Sequence, residues 1–231
     1  MGNRNKDIAM SNDVAAQTAK YLLDTKSVLF NAREPFKYTS GNIGPVYVDC
    51  RRPLSFPEAR KFMMDAAANV LNNEIGAENI DIIAGAETAG IPYAAMIAER
   101  LEKPNVYIRK KPKGHGRMSQ IEGHFEEGSK PRVVLVEDLQ NFGHSKQIFI
   151  EALREAGAVI DHFFVLFDYG IRPEVVKDNE AMGLKQHYLC NWWDVVNAAR
   201  AGQYFDEETL QSVEAYLNDS ESWAEQNKAT A

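Results

Sequence analysis

One pattern recurs between residues 80 and 190: a short apolar run, then a loop, then an amphipathic helix. The apolar runs have the length and the β-branched content of strands that are buried on both faces. Such strands belong to parallel sheets, because the connecting helices cover both faces of the sheet. The sequence therefore predicts an α/β fold with a central, mostly parallel sheet flanked by helices. The predicted strands are residues 80–86, 106–110, 133–138, 159–168 and 187–190.

Helical periodicity and turn signals predict the other elements. The first helix is predicted over residues 12–30, and a hairpin in the stretch that follows. In SFPE, Ser55 has the position of an N-cap and Glu58 the third helical position, which predicts a helix to about residue 73. We predict one domain over residues 1–231, to which residues 1–60 add a small N-terminal part. Further helices are predicted over residues 93–101, 145–156, 194–201 and 207–217.

Composition and charge exclude several classes of protein. The chain has 231 residues, of which 45% are hydrophobic, and this suffices for a sizeable core. Its net charge of -7 argues against a general nucleic-acid binder, which needs positive charge to neutralise phosphates. Cys50 and Cys190 are far apart and lack metal-ligand spacing, which favours a reducing compartment. The polar start and the lack of a membrane-spanning apolar run predict a cytoplasmic protein without membrane contact.

The first candidate site lies where the predicted strand 133–138 ends in two adjacent acids, Glu137 and Asp138. Ligands of parallel sheets collect at the carboxyl ends of the strands. The loop that follows leads into a helix, whose first N–H groups are a natural seat for phosphate. Carboxylates accept hydrogen bonds from sugar hydroxyls, so a phosphorylated ribose suits this arrangement. The residues alone are also consistent with a solvated acidic strand end.

The second candidate site is a basic insertion in an otherwise acidic chain, residues 107–123. Its glycines allow the segment to open and close, and long loops of this kind are often active-site lids. Cations placed where a leaving group gains negative charge lower the barrier to its departure. A flexible solvated surface loop is the alternative interpretation of such a charge run. The charged residues are Arg109, Lys110, Lys111, Lys113, His115 and Arg117.

Two motifs resemble a known family. VVLVED, followed by a glycine-containing loop and Ser-Lys, resembles the 5-phosphoribosyl 1-diphosphate (PRPP) signature of type I phosphoribosyltransferases. RKKPKGHG, residues 109–116, resembles the catalytic loop of the orotate phosphoribosyltransferases in that group. The resemblance runs from about residue 36 to residue 223. It implies the type I fold and the conversion of orotate and PRPP to orotidine 5-monophosphate and diphosphate, a step of pyrimidine biosynthesis.

The resemblance implies roles for individual residues. Glu137 and Asp138 would hold the ribose hydroxyls, residues 140–145 would wrap the 5-phosphate, and the basic loop would bind the diphosphate. The implied catalytic residues are Lys113, His115 and Asp138. The implied substrate-binding residues in these segments are Arg109, Lys110, Lys113, His115, Glu137, Asp138, Asn141, Phe142, Gly143, His144 and Ser145.

Two more segments extend the resemblance. AGAETAGIPYAA resembles a diphosphate-binding turn formed by Glu87, Thr88, Ala89 and Gly90, although a simple turn before a helix also explains it. FKYTSGNIGPVYVDCRR resembles the N-terminal hood of one bacterial branch of the family, in which residues 1–60 supply a helix and the hood. The positions of this chain that match the orotate pocket of that branch are Tyr47, Asp49 and Arg51. The family further implies PRPP-bound Mg²⁺ and a homodimer whose catalytic loops are shared across subunits.

The 5-phosphate loop departs from the family pattern. The family has threonines and paired glycines, whereas this chain has QNFGHS, with Asn141, Phe142 and His144 at altered positions. Gly114 also replaces an acid in the basic loop. Backbone N–H groups survive these changes, so most phosphate donors remain. Three readings stay open: an orotate phosphoribosyltransferase, which we favour, a phosphoribosyltransferase for another base, and a non-catalytic paralogue that binds a nucleotide or a protein.

Overall fold

The computed structural model describes residues 2–38, 41–113, 120–124, 126, 128–141 and 144–228. These residues form two compact units. One comprises the described residues up to 60 together with those from 190 onward, and the other comprises residues 61 to 189. The predicted sites around Glu137 and in the basic segment lie in the second unit, and the predicted hood lies in the first.

The first unit begins with a long helix and small antiparallel pairs of strands. The strand β1 pairs with β4, and β2 pairs with β3, both antiparallel. Three helices from the end of the chain complete this unit, and α1 packs on the first of them. The elements are α1 (Gly2–Asp24), β1 (Val28–Phe30), β2 (Phe36–Lys37), β3 (Ile43–Gly44), β4 (Val46–Val48), and at the end of the chain α6 (Trp192–Ala201), α7 (Glu207–Asn218) and α8 (Ser220–Asn227).

The second unit contains the predicted sheet. Within the described residues the sheet has six strands in the order β10-β9-β8-β5-β6-β7. The pairs β5–β6, β5–β8 and β8–β9 are parallel, and the short β7 is antiparallel to its neighbour β6. The elements are α2 (Pro57–Glu74), β5 (Ile82–Ala86), α3 (Gly90–Leu101), β6 (Asn105–Ile108), β7 (Ile121–Glu122), β8 (Arg132–Gln140), α4 (His144–Glu155), β9 (Val159–Asp168), α5 (Pro173–Ala181) and β10 (Lys185–Asn191).

The sheet confirms the predicted fold class. Every residue of β5 is buried, which explains why this strand reads as a continuous apolar run and not as an alternating one. Helix α4 packs on the sheet through Phe149 and Leu153, which join Phe163 of β9 in one core cluster. The central strands β5 and β8 therefore lie between layers of side chains, and their carboxyl ends reach the same edge of the sheet.

Several predicted boundaries were wrong. The first helix ends at Asp24 and not at residue 30, because Lys26 has a left-handed backbone (φ 55°) and the next residues pair as β1. Ser55 does not cap a helix, since it ends a 3-10 helix over Arg52–Ser55. Phe56 is extended, as expected for a residue before proline, and α2 begins at Pro57. The predicted hairpin is present as the pair β2–β3, whereas β1, β7, α5 and α8 were not predicted.

Candidate active site

The acid pair lies near the carboxyl end of β8, between β5 and β9. Strand β8 extends past the predicted end to Gln140, because its parallel pairing continues to Gln140 opposite Asp168. Glu137 and Asp138 are both half-buried. Burial, and then repulsion by Asp138, raises the pKa of Glu137 to about 7, while the positive charges of Lys146 and Lys110 oppose the shift. This carboxyl group therefore changes its charge near neutral pH.

The predicted phosphate loop follows directly. Phe142 and Gly143 lie outside the described residues, and His144 and Ser145 form the start of α4. The first N–H groups of a helix lack partners within the helix and carry the positive end of its dipole, so they suit an anion. The acid pair and this helix start are separated by only a few residues, as the predicted ribose and phosphate site requires.

Asn141 is held by an arginine that the sequence analysis did not identify. The Nε atom of Arg172 donates to Asn141 Oδ1 over 2.8 Å. Arg172 follows β9, the parallel neighbour of β8, and its side chain is 18% exposed. An indication was present in the sequence, because Arg172 comes just after a predicted strand whose end should lie beside the end of strand 133–138.

A buried lysine next to the end of the same loop, Lys146, was also not identified from the sequence. Lys146, in the first turn of α4, is 1% exposed. It donates to Gln140 Oε1 over 2.7 Å and to Asn179 Oδ1, and its ammonium lies 4.4 Å from the centre of the Phe163 ring. Gln186 Oε1 accepts from both Gln140 Nε2 (2.6 Å) and Asn179 Nδ2 (2.9 Å), which closes a ring of four polar side chains.

The predicted diphosphate turn packs closely on β8. A Cβ added to Gly90, the first residue of α3, would lie 2.3 Å from the carbonyl oxygen of Val136 and 3.2 Å from Glu137 Cα. Only glycine allows this approach, which places the turn of residues 87–90 against the strand that carries the acid pair. The peptide bond between Glu87 and Thr88 is cis.

The turn also contacts the start of the basic segment. Glu87 Oε2 accepts a hydrogen bond from the backbone N–H of Lys110 over 2.7 Å. The N–H of Glu87 in turn donates to the carbonyl of Ile108 over 2.9 Å. These bonds join the residues after β5 to the residues after β6, and Lys110 is close enough to Glu137 to affect its pKa. The turn, the acid pair and the beginning of the basic segment therefore share one edge of the sheet.

Two described cations of the basic segment contact the same acid. Glu122 of β7 lies 3.4 Å from Arg109 and 4.0 Å from Lys113. The side chain of Lys113 is 72% exposed, so this long ion pair contributes little to stability and leaves the ammonium available to an anionic ligand. His115, the other predicted catalytic residue of this segment, lies outside the described residues.

The predicted orotate-pocket residues belong to the first unit. Tyr47, on β4, is 39% exposed and packs on Phe36 with 5.7 Å between ring centres. Arg51 donates to Asp49 over 2.7 Å. Burial by itself would raise the pKa of Asp49, but the hydrogen bonds and the charge of Arg51 lower it overall. Asp49 is therefore an ionised acceptor next to a cation and an exposed aromatic ring.

The donor set at the site fits a magnesium ion that arrives with a phosphorylated ligand. In the part of the chain that the structure describes, no three His, Cys, Asp or Glu side chains are grouped to hold a metal. Mg²⁺ commonly uses one or two carboxylates together with substrate phosphates and water. Glu137 and Asp138 supply carboxylates of this kind.

No helix among the described residues is long and apolar enough to cross a membrane.

Known proteins resemble this chain over most of its length. Residues 57–197 match the family described as the phosphoribosyl transferase domain. The orotate phosphoribosyltransferase of Dinoroseobacter shibae is 51% identical over 94% of this chain and 95% of that protein. That of Sinorhizobium fredii is 47% identical over 93% of this chain and 91% of the relative. The crystal structure of the orotate phosphoribosyltransferase from Aeropyrum pernix superposes with a TM-score of 0.67 and 31% identity, over 81% of this chain and 99% of that one.

Proposed function

The chain belongs to the orotate phosphoribosyltransferase family, and on that premise we propose that it transfers the phosphoribosyl group of PRPP to orotate. The products are orotidine 5-monophosphate and diphosphate. The observation that carries this proposal is the acid pair Glu137 and Asp138 on the central strand β8, a few residues before the start of α4. A ligand with both ribose hydroxyls and a phosphate satisfies the carboxylates and the helix start together.

The acids bind and orient the ribose. Ionised Glu137 and Asp138 accept hydrogen bonds from the two ring hydroxyls. As the bond between C1 and the diphosphate oxygen breaks, the ribose gains oxocarbenium-like positive charge, and nearby carboxylates stabilise it. Burial raises the pKa of Glu137 to about 7. The positive charge that develops on the ribose favours the ionised form of this carboxyl group. The acid pair thus acts most strongly when the ribose carries positive charge.

The cations stabilise the leaving group. The diphosphate departs with the electron pair of the C1–O bond, and the base nitrogen attacks C1 and gives up its proton. Arg109, Lys110, Lys113 and His115 would neutralise the charge that develops on the departing oxygens. Lys113 has an exposed ammonium that is available to that charge. The N–H groups of residues 88–90 would orient the same phosphates, since the N–H of Glu87 already donates to Ile108. Positioning and charge supply the rate, without a covalent enzyme intermediate.

Three further features belong to this proposal. Mg²⁺ would reduce the negative charge of PRPP, and Glu137 and Asp138 would be the side chains that hold it. The protein would be a cytoplasmic homodimer in which the segment around Lys113 serves the site of the neighbouring subunit. Tyr47, Asp49 and Arg51 would contribute to the orotate pocket.

One assay tests the proposed function. Purified protein is incubated with Mg²⁺, PRPP and orotate, and the loss of orotate absorbance is followed. Turnover that requires all three components is expected. Turnover only with a different base in place of orotate would favour a phosphoribosyltransferase of other specificity. PRPP binding without turnover of any base would favour the non-catalytic paralogue.

A further inference from the structure

Lys146, a buried cation in the first turn of α4, has no assigned contact with a ligand in the proposed reaction. Among the described residues, Lys146 is the only lysine or arginine in the buried class. Both of its hydrogen-bond acceptors, Gln140 Oε1 and Asn179 Oδ1, are uncharged amides. Glu137, Asp168 and Asp178 act on it through their charge. Burial of a charged group is costly, so its presence here calls for a physical reason.

The position of Lys146 in the chain supplies that reason. Gln140 is the last residue of β8, and Lys146 lies in the first turn of α4, so the two residues bracket the loop of residues 141–145. Their hydrogen bond of 2.7 Å spans the two ends of this loop. A phosphate held by backbone N–H groups needs those groups at set positions, and closely held loop ends restrict the conformations that the loop can adopt.

The remaining members of the ring anchor the two loop ends to other elements. Asn179 lies on α5 and Gln186 on β10, and Gln186 accepts hydrogen bonds from both Gln140 and Asn179. Lys146 therefore connects the loop to two elements that are distant in sequence. These hydrogen bonds restrict the motion of the four side chains, although the donor Gln186 Nε2 is buried without a partner among the described residues. This restriction matters for QNFGHS, which lacks the paired glycines and threonines of the family pattern.

We propose that Lys146 is a positioning residue for the ribose 5-phosphate, acting through Gln140 on the two ends of the loop of residues 141–145. The inference rests on the proposed function, because it assumes that this loop takes the 5-phosphate of PRPP. Lys146 holds the two described ends of the loop together, and its buried positive charge adds to the field of the α4 dipole. It does not contact the bond that breaks, and its influence on the acid pair is the positive charge that opposes the raised pKa of Glu137.

The test compares the affinities for two probes. The Kd values of ribose 5-phosphate and of diphosphate without Mg²⁺ are measured by calorimetry, together with the KM for PRPP and kcat. Lys146→Met keeps the length of the side chain and its packing on Phe163 but removes the ammonium. We expect a roughly tenfold or greater rise in the Kd of ribose 5-phosphate and in the KM for PRPP, the size set by one or two lost hydrogen bonds. The Kd of diphosphate should remain unchanged, because without Mg²⁺ this probe does not depend on the acid pair.

Two further variants separate positioning from general stability. Lys185→Met makes the same change at a lysine whose side chain is 56% exposed and pairs with Glu74, and it should leave both Kd values unchanged. Gln140→Met opens the ring at the other end of the loop and should reproduce the selective loss for ribose 5-phosphate. If Lys146→Met does not fold, the Kd values of Gln140→Met provide the test of the proposal.

The outcomes distinguish this inference from the proposed function. Unchanged ribose 5-phosphate affinity in folded Lys146→Met, or in Gln140→Met if that is the variant which folds, overturns the inference. So does an equal loss for both probes, or wild-type protein that does not bind ribose 5-phosphate. If wild-type protein binds ribose 5-phosphate but does not turn over PRPP with orotate, the proposed function fails alone. A selective loss in the variants would then still support the role of Lys146.

Discussion

Arg172 Nε donates a hydrogen bond to Asn141 Oδ1 over 2.8 Å, between residues that are 31 positions apart in sequence. A guanidinium group has only donors, so the amide oxygen of Asn141 must face Arg172 and its NH₂ group must point away. The amide nitrogen is then available to a phosphate in the adjoining loop. Arg172 thus offers a physical reason why asparagine is tolerated where the family has threonine.

Loss of this contact should weaken PRPP binding. Arg172→Met removes the donor that orients Asn141, and we expect the KM for PRPP to rise about five- to tenfold with a smaller change in kcat. Asn141→Asp keeps an acceptor for Arg172 but replaces the amide donor with a negative charge, so its KM should rise further. Steady-state kinetics check both variants. An Asn141→Asp protein with wild-type KM would contradict the proposed orientation.

Glu137→Gln should lower the activity and raise the stability of the folded protein at pH 8. The folded-state pKa of Glu137 is raised from 4.5 to about 7, so folding stability from this group is complete below pH 4.5 and is lost as pH rises through 7. At pH 8 the variant should be more stable by about 1–3 kcal/mol, while kcat/KM falls by orders of magnitude. Denaturant unfolding at pH 8 and pH 5 measures this. Wild-type kcat/KM should rise with pH near 7, and stability that does not differ between the proteins at pH 8 would refute the assignment.

Gly90→Ala should displace α3 from β8. The added Cβ would lie 2.3 Å from the carbonyl oxygen of Val136, so helix and strand must separate. We expect a loss of about 1–3 kcal/mol in the free energy of unfolding, with a lower kcat/KM because Glu137 moves. Gly183→Ala is a control for backbone strain without crowding, since Gly183, unlike Gly90, has a left-handed backbone (φ 68°) and nothing lies within 4 Å of the added atom. The reverse order of destabilisation would count against close packing as the cause.

Lys113→Ala should reduce kcat by orders of magnitude with an unchanged unfolding midpoint, because its exposed ammonium lies 4.0 Å from Glu122 and contributes little to stability. Mixing this variant with Glu137→Gln under subunit exchange tests the shared loop. If each loop serves the neighbouring site, hybrid dimers have one intact site, and about a quarter of wild-type activity should return. If each loop serves its own subunit, the mixture stays inactive.

Acid should destabilise the sheet at a histidine pair. His162 Nδ1 and His187 Nε2 are 2.9 Å apart, and burial, then His162, lowers the pKa of His187 to about 4. Since the unfolded chain binds a proton near pH 6.5 and the folded chain does not, stability falls between pH 6.5 and 4, by about 2–3 kcal/mol. His187→Gln should lose less over this range, and exposed His124→Gln should behave as wild type. Denaturant unfolding of the wild type and the two variants between pH 6.5 and 4 measures this difference.

Local sequence patterns predicted much of the fold. Strand β9 was predicted with its observed bounds, residues 159–168, and the acid pair was correctly expected near the end of a parallel strand. These features depend on apolar periodicity and on turn residues, which act over a few positions. The same reasoning was wrong at residues 25–30, where the left-handed Lys26 and the pairing of β1 with β4 override helical periodicity.

Only the tertiary structure decided what surrounds the phosphate loop. Lys146 and Asn179 are 33 positions apart, and Asn141 and Arg172 are 31 apart, so no local pattern connects them. The parallel register that places Gln140 opposite Asp168 brings these side chains together at one sheet edge. The sequence determined which chemical groups the strand ends carry, because local propensity and periodicity act over short distances. Strand register and burial decided their partners and the charge of Glu137 and Lys146, because those depend on distances in space.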